Sequence, residues 1–319
     1  MVDVRVTDSR LAFVFPGQGS QSLGMLSDLA EAHASIIEDF AEASEGAGVD
    51  LWALAGQGPE ERLNTTEFTQ PALLAAGVSV YRLWHAQGGE TPEVLAGHSL
   101  GEYAALVVAG VLSLGDAARL VRVRGQLMQA AAPAGTGAMA AVLGAEDALV
   151  AEVCTQASGD GVVVPANFNS PGQIVIGGHA AAVDRALALL GERGVRKAVK
   201  LAVSVPSHTP LMRDAANRLA TTMAELDWRE PQLPVVQNVD AEVHEGAHAI
   251  RDALVRQLYL PVQWTGCVQA LAGRGVTRVA ECGPGKVLAG LCKRIDRSLQ
   301  ARPLGTLPEF EAALAEWKN

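Results

Sequence analysis

The sequence predicts an α/β fold in two parts: a large domain with a mainly parallel sheet, and a small domain inserted into it. Two patterns lead to this prediction. Short apolar runs alternate with runs of helical periodicity up to about residue 131 and again after residue 204, which is typical of a parallel sheet with helices on both faces. Between these regions the order becomes strand, helix, strand, strand, helix, strand, which is the ferredoxin-like order.

The first half of the large domain is predicted from its apolar runs and turn residues. LAFVF, at Leu11–Phe15, indicates a buried strand that ends at the glycine-rich loop PGQGSQ. The next long apolar run predicts a helix with Pro71 in its first turn, since proline cannot donate an inner helical hydrogen bond. A strand at Val94–Ala96, a turn at Ser99 and a helix ending near Gly110 follow.

A second helix comes next, and Ser113 and Asp116 fit a capping box at its start.

The small domain is then predicted to have strands in AMAAVLG, VVVPANFN, QIVIGG and RKAVKLAVS, and helices in EDALVAEVCTQA and AAVDRALALLGERG. The large domain resumes with a helix from about Pro210 and strands in LPVVQNV and VTRVAECG. Further helices run through Leu258 and Ala272 and through KVLAGLCKRI.

The domain boundaries follow from the points where the pattern changes. We place the large domain at residues 1–136 and 205–319 and the small domain at residues 137–204. Because the chain leaves the large domain and returns to it, a cleft is expected between the two. Such clefts are where ligand sites tend to lie.

Composition and charge exclude several classes of function. With 49% hydrophobic and 19% charged residues, the chain is predicted to be globular rather than disordered. A net charge of −10 argues against a nucleic-acid partner. The N-terminus lacks the apolar region of a secretory signal, and AALVVAGVLSLG is too short to cross a membrane. The four cysteines lack metal-site spacing, so we expect reduced thiols, no metal and a cytoplasmic location.

The segment GHSLG around Ser99 fits the G-x-S-x-G nucleophile elbow, between a predicted strand and a predicted helix. A plain tight turn would also use these glycines. The strand–turn–helix context favours a nucleophilic serine, because the following helix directs N–H groups at the turn. The N–H of Leu100 is then a natural oxyanion donor. In PGQGSQ, which lacks a phosphate-loop pattern, Gln18 is the candidate for a second donor.

A nucleophilic serine needs a base, and His208 in SVPSHTP is favoured over His98. His208 lies where the chain re-enters the predicted cleft, whereas a residue adjoining the nucleophile at such a turn usually points away from it. No acidic residue stands out as the third member of a triad. A backbone carbonyl is therefore a candidate for the group that orients the base.

Arg124 lies in the middle of the apolar face of the helix DAARLVRVRGQLMQAA. A long arginine side chain can extend from an apolar face to solvent. Alternatively, a guanidinium held in an apolar site needs an anion, and a substrate carboxylate can supply it through a bidentate pair. With Ser99, the second interpretation indicates an acyl group that carries a free carboxylate.

Seven blocks together resemble the malonyl-CoA:acyl-carrier-protein transacylases of bacterial fatty-acid synthesis. They run in order from Leu11 to beyond Ile295: FVFPGQGSQSLGM, GHSLGEYAAL, VRVRGQLMQ, ANFNSPGQIVIGG, SVPSHTPLM, VRQLYLPVQW and ECGPGKVLAGLCKRI. The resemblance implies an α/β-hydrolase-like large domain with a ferredoxin-like insert. It also implies a ping-pong transfer of malonyl from malonyl-CoA to the phosphopantetheine thiol of an acyl carrier protein.

By this resemblance, Ser99 is the acylated nucleophile, His208 is its base and Arg124 binds the malonyl carboxylate. The backbone carbonyl of Gln257 in VRQLY orients the histidine, which would account for the missing acid.

The resemblance also assigns residues around the nucleophile. The N–H groups of Gln18 and Leu100 form the oxyanion hole, and Asn167 and Asn169 lie near the site. His98 belongs to the elbow without being the base.

The resemblance implies no metal or redox cofactor and a monomeric protein. Its carrier-protein partner is acidic, so a local basic rim is expected on this acidic chain, although each of these side chains could simply be a solvated surface residue. The candidates are Arg193, Arg196, Lys197, Lys200, Lys286, Lys293 and Arg294.

Three other functions remain open from the sequence. The chain could be an acyltransferase of a polyketide or malonate decarboxylase system, which differs in its partner. It could be a serine thioesterase or hydrolase, although a simple esterase needs no carboxylate clamp. It could also be a binding protein that keeps the fold without catalysis, in which case the serine, histidine and arginine would be unused.

Overall fold

The computed structural model describes residues 10–133, 135–203 and 205–317. The strands are β1 (Leu11–Phe15), β2 (Val94–Gly97), β3 (Gly137–Leu143), β4 (Val163–Ser170), β5 (Gln173–His179), β6 (Lys197–Lys200), β7 (Val235–Val236), β8 (Arg278–Glu281) and β9 (Gln300–Pro303). The first helices are α1 (Ser27–Ala32), α2 (Ser35–Ala47), α3 (Leu51–Gln57), α4 (Glu60–Leu63), α5 (Thr66–Ala86), α6 (Gly101–Val108) and α7 (Leu114–Ala131). The later helices are α8 (Asp147–Ser158), α9 (Ala180–Glu192), α10 (Arg213–Ala224), α11 (Ala247–Tyr259), α12 (Trp264–Gly273), α13 (Val287–Ile295) and α14 (Leu307–Trp317), and Pro210–Met212 forms a 3-10 turn before α10.

The strands of the described residues form two separate sheets. One is parallel throughout, in the order β7-β2-β1-β8-β9. The other is antiparallel, in the order β4-β5-β3-β6, and carries α8 and α9. The predicted α/β class is confirmed, and the order from β3 to β6 is the predicted strand–helix–strand–strand–helix–strand. The domain boundaries stay predictions, and the boundary residue Ser204 lies outside the described residues.

The parallel sheet is covered on both faces because its central strand is apolar at every position. Leu11, Phe13 and Phe15 point into the larger hydrophobic cluster, with α5, α6 and α7. Ala12 and Val14 point to the opposite face, against α12 and α13. All five β1 residues are fully buried. A continuous apolar strand is stable only when both sides are shielded from water, which is why helices must cover both faces.

Several element predictions are wrong in their bounds. Pro71 is not in the first turn, because its helix starts at Thr66 and buries the preceding Phe68, Thr69 and Gln70. The strand predicted in LPVVQNV is only Val235–Val236, and the strand predicted in RKAVKLAVS is only Lys197–Lys200. Backbone hydrogen bonding continues for one residue past each strand, from the Leu201 N–H to the Met139 carbonyl and from the Gln237 N–H to the Glu242 carbonyl, both at 2.9 Å.

Other elements had no counterpart in the sequence prediction. These are the helices from α1 to α4, the edge strand β9 and α14, although α2 and α14 bury apolar residues at helical spacing. The predicted cap of α7 is confirmed, since Ser113 Oγ accepts the N–H of Asp116 at 3.1 Å. No helix within the described ranges is long and apolar enough to cross a membrane.

The two sheets are linked by strand β4, which pairs with the large domain as well as with β5. The Phe168 N–H donates to the carbonyl of Val262, and the Val262 N–H donates to the carbonyl of Ala166, both at 2.9 Å. Thr265 Oγ1 adds a bond of 3.1 Å to the Phe168 carbonyl. The small domain is therefore anchored to the large domain by hydrogen bonds to the backbone of β4 itself, at Ala166 and Phe168.

Glycine is required at two positions where β2 turns into α6. A Cβ on Gly101 would lie 1.9 Å from the carbonyl oxygen of Phe15, and a Cβ on Gly97 would lie 1.9 Å from the carbonyl carbon of Gly101. Both contacts involve backbone atoms that cannot move aside. The glycines therefore let the turn pack directly against the end of β1.

We expect Gly101→Ala to lower the free energy of unfolding by about 3 kcal/mol, because overpacking against backbone forces the elbow off β1. The control is Gly290→Ala in α13, where a Cβ would meet nothing within 4 Å. That change should stabilise the protein by about 0.5–1 kcal/mol through helix propensity. Urea unfolding of the two variants measures both effects, and equal stabilities would contradict the packing argument.

Candidate active site

The serine of the predicted elbow lies on a strained turn between β2 and α6. Ser99 has φ of +52°, in the left-handed region that non-glycine residues rarely adopt. Its side chain is partly exposed, whereas Leu100 beside it is 1% exposed. The turn therefore presents one hydroxyl at the carboxyl end of the parallel sheet, where open α/β folds place their ligands.

Ser99, His208 and the backbone of Gln257 form a hydrogen-bonded chain. His208 Nδ1 lies 2.7 Å from the Gln257 carbonyl oxygen, and His208 Nε2 lies 2.7 Å from Ser99 Oγ. A carbonyl can only accept, so Nδ1 must carry the proton and Nε2 must be free of one. The serine hydroxyl then donates to Nε2, which is the arrangement a general base requires.

His208 is held neutral by its surroundings. Burial, followed by the positive charge of Arg124, lowers the pKa of His208 to about 3, although the hydrogen bond to the Gln257 carbonyl opposes the shift. The residue is 3% exposed and has φ of +60°, and its N–H donates to the Leu258 carbonyl at 3.1 Å. The imidazole is thus fixed in position from both its ring and its backbone.

Arg124 reaches the nucleophile from α7 and does not extend to solvent. The side chain is 1% exposed, so the solvent-directed alternative for this arginine is wrong. Its Nη2 lies 3.2 Å from Ser99 Oγ and 3.1 Å from Gln257 Oε1, and its Nη1 donates to Gln70 Oε1 at 2.7 Å. Over the described part of the chain, Arg124 forms no ion pair with a protein carboxylate.

The buried charge of Arg124 makes the site receptive to an anion. Burial lowers the pKa of Arg124, while Tyr103 and Glu102 oppose this shift. The ring centroid of Tyr103 lies 5.4 Å from the guanidinium carbon. A cation surrounded by neutral amides and an aromatic ring still lacks a directly bonded counter-charge, and an incoming carboxylate can provide one.

Glu102 lies on α6, three residues after Ser99, and is fully buried. The sequence analysis did not predict a role for it. Its Oε2 accepts from the Gln257 amide at 3.1 Å and from the Asn238 N–H at 2.8 Å, and its Oε1 accepts from Gln237 Nε2 at 3.1 Å. Burial raises the pKa of Glu102 to about 7, although these hydrogen bonds and the charge of Arg124 pull it down. An acid inside the apolar helix EYAALVV was the available signal for this residue.

The loop PGQGSQ lies against the elbow, as an oxyanion hole requires. A Cβ on Gly17 would lie 2.6 Å from the carbonyl oxygen of His98, so the two backbones are in contact. Among the described residues, the N–H groups of Gln18 and Leu100 have no hydrogen-bond acceptor. The N–H of Ser99 itself is used, because it donates to Asn238 Oδ1 at 2.7 Å. The role of these two N–H groups as oxyanion donors stays a prediction.

The two asparagines of β4 have different surroundings. Asn169 Oδ1 lies 2.8 Å from His98 Nε2, so His98 points at the small domain and away from Ser99. Asn167 is buried and bridges to Val262 through its backbone. The structure thus brings Asn169 to the elbow through His98, while Asn167 lies at the contact between the domains. Their predicted site roles stay predictions.

The chemistry available here is acyl transfer to an oxygen nucleophile. Within residues 10–133, 135–203 and 205–317, no group of three or more His, Cys, Asp and Glu side chains is arranged to hold a metal ion. The four cysteines are buried and free. Serine, neutral histidine, free backbone N–H groups and a buried guanidinium remain as the reactive set.

The fold and the relatives of this chain define an acyltransferase. The acyl transferase domain family matches residues 12–304. The malonyl CoA-acyl carrier protein transacylase of Escherichia coli K12 is 55% identical over 96% of this chain and 99% of its own length. The one from Bacillus subtilis is 42% identical over 98% of both chains.

Solved structures agree with these relatives. The crystal structure of malonyl-CoA:acyl carrier protein transacylase from Xanthomonas oryzae pv. oryzae has a TM-score of 0.97 and 76% identity, covering 98% of this chain and 99% of that one. A malonyl-transacylase in complex with its type II PKS acyl-carrier protein has a TM-score of 0.95 and 51% identity, covering 97% and 100%. This chain belongs to the family of malonyl CoA-acyl carrier protein transacylases.

The depressed pKa of His208 should make the wild type lose stability in acid relative to a variant without this histidine, while the raised pKa values of Glu102 and Glu281, about 7 in both proteins, act in the opposite direction. Unfolding returns this pKa from about 3 to its usual value near 6.5, so the unfolded state binds the extra proton between these limits. Stability from this group is present above pH 6.5 and is lost as the pH falls towards 3. From pH 6.5 to pH 5 it should decrease by about 2 kcal/mol. Urea unfolding of wild type and His208→Gln at both pH values measures this contribution as the difference between their pH dependences; the same pH dependence in both proteins would contradict the assignment.

Proposed function

We propose that this protein transfers the malonyl group from malonyl-CoA to the phosphopantetheine thiol of an acyl carrier protein, in the service of fatty-acid synthesis. The main support is Arg124, a buried guanidinium without a protein carboxylate that lies 3.2 Å from the Ser99 hydroxyl. A substrate acyl group bound there must place its thioester carbonyl at the nucleophile and its free carboxylate at the arginine. Malonyl meets both conditions, whereas acetyl meets only the first.

In the proposed first step, Ser99 Oγ attacks the thioester carbonyl while its proton passes to His208 Nε2. The N–H groups of Gln18 and Leu100 stabilise the oxyanion, and each such donor is worth about 3 kcal/mol in the transition state. The C–S bond then breaks, the thiolate of coenzyme A takes the proton from His208, and malonyl-Ser99 remains.

The second step repeats the first with another thiol. The thiol of the carrier protein loses its proton to His208 Nε2 and attacks the serine ester through the same oxyanion hole. Ser99 recovers its hydroxyl, and malonyl leaves on the carrier protein. The Gln257 carbonyl maintains the histidine in the tautomer that both steps require. No step needs a metal or a redox cofactor.

We infer that the carrier protein docks on a basic rim around the cleft. Of the predicted cations, Arg193 is paired with Glu152 at 3.0 Å and Lys200 with Asp184 at 2.6 Å. The remaining candidates are exposed and form no ion pair among the described residues. They are Arg196, Lys197, Lys286, Lys293 and Arg294. Arg294 also donates from Nη1 to Gln173 Oε1, whereas Arg196, Lys197, Lys286 and Lys293 suit an acidic partner because no ion pair within the protein must break. A monomeric, cytoplasmic protein is consistent with this proposal.

Incubation with malonyl-CoA in the absence of carrier protein should acylate Ser99. Intact-protein mass spectrometry is expected to show one malonyl adduct on the wild type and none on Ser99→Ala, because the ester forms on that hydroxyl. Subsequent carrier protein should remove the adduct and become malonylated. Continuous release of free malonate without an adduct would instead support a hydrolase.

Arg124→Met should change which acyl group is accepted. Methionine fills the apolar face but cannot pair with a carboxylate, so kcat/KM for malonyl-CoA should fall about 100-fold while that for acetyl-CoA changes little. Arg119→Met is the matched control, since Arg119 lies exposed on the same helix. Equal losses for both substrates would exclude the carboxylate clamp.

Charge reversal on the proposed rim should affect only the second substrate. Arg196→Glu with Lys197→Glu is expected to raise KM for carrier protein several-fold, with the rate of Ser99 malonylation unchanged, because rim charges act on encounter with the partner. Arg119→Glu with Arg229→Glu provides the same charge change elsewhere on the surface, since both arginines are exposed. An unchanged KM for carrier protein would contradict docking at Arg196 and Lys197.

A further inference from the structure

A buried side-chain amide holds both ends of the turn that carries the nucleophile. Asn238 follows strand β7 and is fully buried. Its Nδ2 donates to the Gly97 carbonyl and its Oδ1 accepts the Ser99 N–H, each at 2.7 Å. One planar amide thus bonds both the last residue of β2 and the N–H of the nucleophile, whereas the Gln257 amide makes a single bond to this turn, at the Ser99 carbonyl (2.9 Å).

These bonds act where the backbone is strained. A non-glycine residue at φ of +52° costs about 1–2 kcal/mol and relaxes unless its neighbours hold it. If Asn238 is removed, the Gly97 carbonyl and the Ser99 N–H both lose their partners. The turn is then free to move towards an ordinary conformation, and Ser99 Oγ moves with it.

Asn238 is itself fixed by the group that fixes the base. Its N–H donates to Glu102 Oε2 at 2.8 Å, and its carbonyl accepts from Gln263 at 2.8 Å. The same Glu102 oxygen accepts from the side chain of Gln257, whose carbonyl orients His208. The buried carboxylate therefore links the residue that holds the nucleophile to the residue that holds the base.

We propose that Asn238 is a positioning residue for acylation: its amide holds Ser99 in the strained conformation that brings Oγ to His208 Nε2. Glu102 fixes the position of Asn238 relative to Gln257, because both residues donate to the same carboxylate oxygen. This inference rests on the proposed function, in which Ser99 is acylated. Asn238 does not contact the substrate and takes no proton. Its contribution lies in the rate of attack and not in the binding of malonyl-CoA.

The first test compares Asn238→Ala with wild type in rapid-quench acylation by malonyl-CoA. The rate constant for malonyl-Ser99 formation should fall about 100-fold, as expected for a misplaced nucleophile. KM should stay within about threefold, because Gln70 and Gln257 hold Arg124 independently of Asn238. Gln237→Ala is the comparison variant, since it removes the neighbouring buried amide and leaves both bonds to the elbow intact. Equal rate losses in the two variants would overturn the proposal.

Asn238→Asp separates positioning from folding, because its effect depends on protonation. A neutral aspartic acid can donate to the Gly97 carbonyl and accept from Ser99, as asparagine does. An ionised one places a second oxygen against that carbonyl. The ionisable groups nearby are Glu102 at its backbone and the Cys267 thiol 3.9 Å from Nδ2. His208 and Arg124 face it across Ser99.

The acylation rate of Asn238→Asp relative to wild type should therefore rise as the pH is lowered from 8 to 6. A pH profile parallel to that of the wild type would contradict the proposal.

A fluorophosphonate probe distinguishes failure of this inference from failure of the proposed function. It labels an activated serine without needing a carboxylate clamp. If the wild type reacts with the probe but not with malonyl-CoA, the proposed function fails, and labelling rates still test Asn238. If the wild type forms the malonyl adduct and Asn238→Ala forms it equally fast, the proposed function stands and this inference is wrong.

Discussion

The left-handed backbone of Ser99 is the constraint on which the rest of the site depends. A serine at φ of +52° lies between a strand and a helix that touch, and only hydrogen at the Cα atoms of Gly97 and Gly101 permits that contact. The strained turn has two effects. It directs the Ser99 hydroxyl towards His208 Nε2, and it leaves the N–H of Leu100 without an acceptor among the described residues. Nucleophile and oxyanion donor therefore arise from the same local geometry.

The second organising element is a pair of buried opposite charges that do not touch. Arg124 and Glu102 are both almost fully buried, and the Gln257 amide stands between them, accepting from one and donating to the other. This separation leaves the guanidinium available to an outside anion while its charge is still partly balanced. The same positive charge helps to hold His208 neutral. The clamp for the substrate and the protonation state of the base are thus electrostatically coupled.

The small domain contributes to the site through an edge strand of its antiparallel sheet, β4, which also pairs with an isolated residue of the large domain. Strand β4 pairs with β5 on one side and with Val262 of the large domain on the other. This places Asn169 against His98 and turns that histidine away from the nucleophile. The hydrogen bonds between β4 and Val262 therefore hold the antiparallel sheet beside the turn that carries Ser99.

The sequence by itself determined the α/β class, the order of most elements and the identity of the residues at the nucleophile, because these depend on local patterns. An apolar strand followed by GHSLG and a helix is recognisable in one dimension, and so is an arginine on an apolar helix face. Only the tertiary structure decided which histidine meets Ser99, that Arg124 is buried, and that Glu102, Gln70 and Asn238 surround them. The reason is physical: those contacts join residues far apart in sequence, and an amide or a carboxylate looks the same in the chain whether it faces water or supports a strained turn.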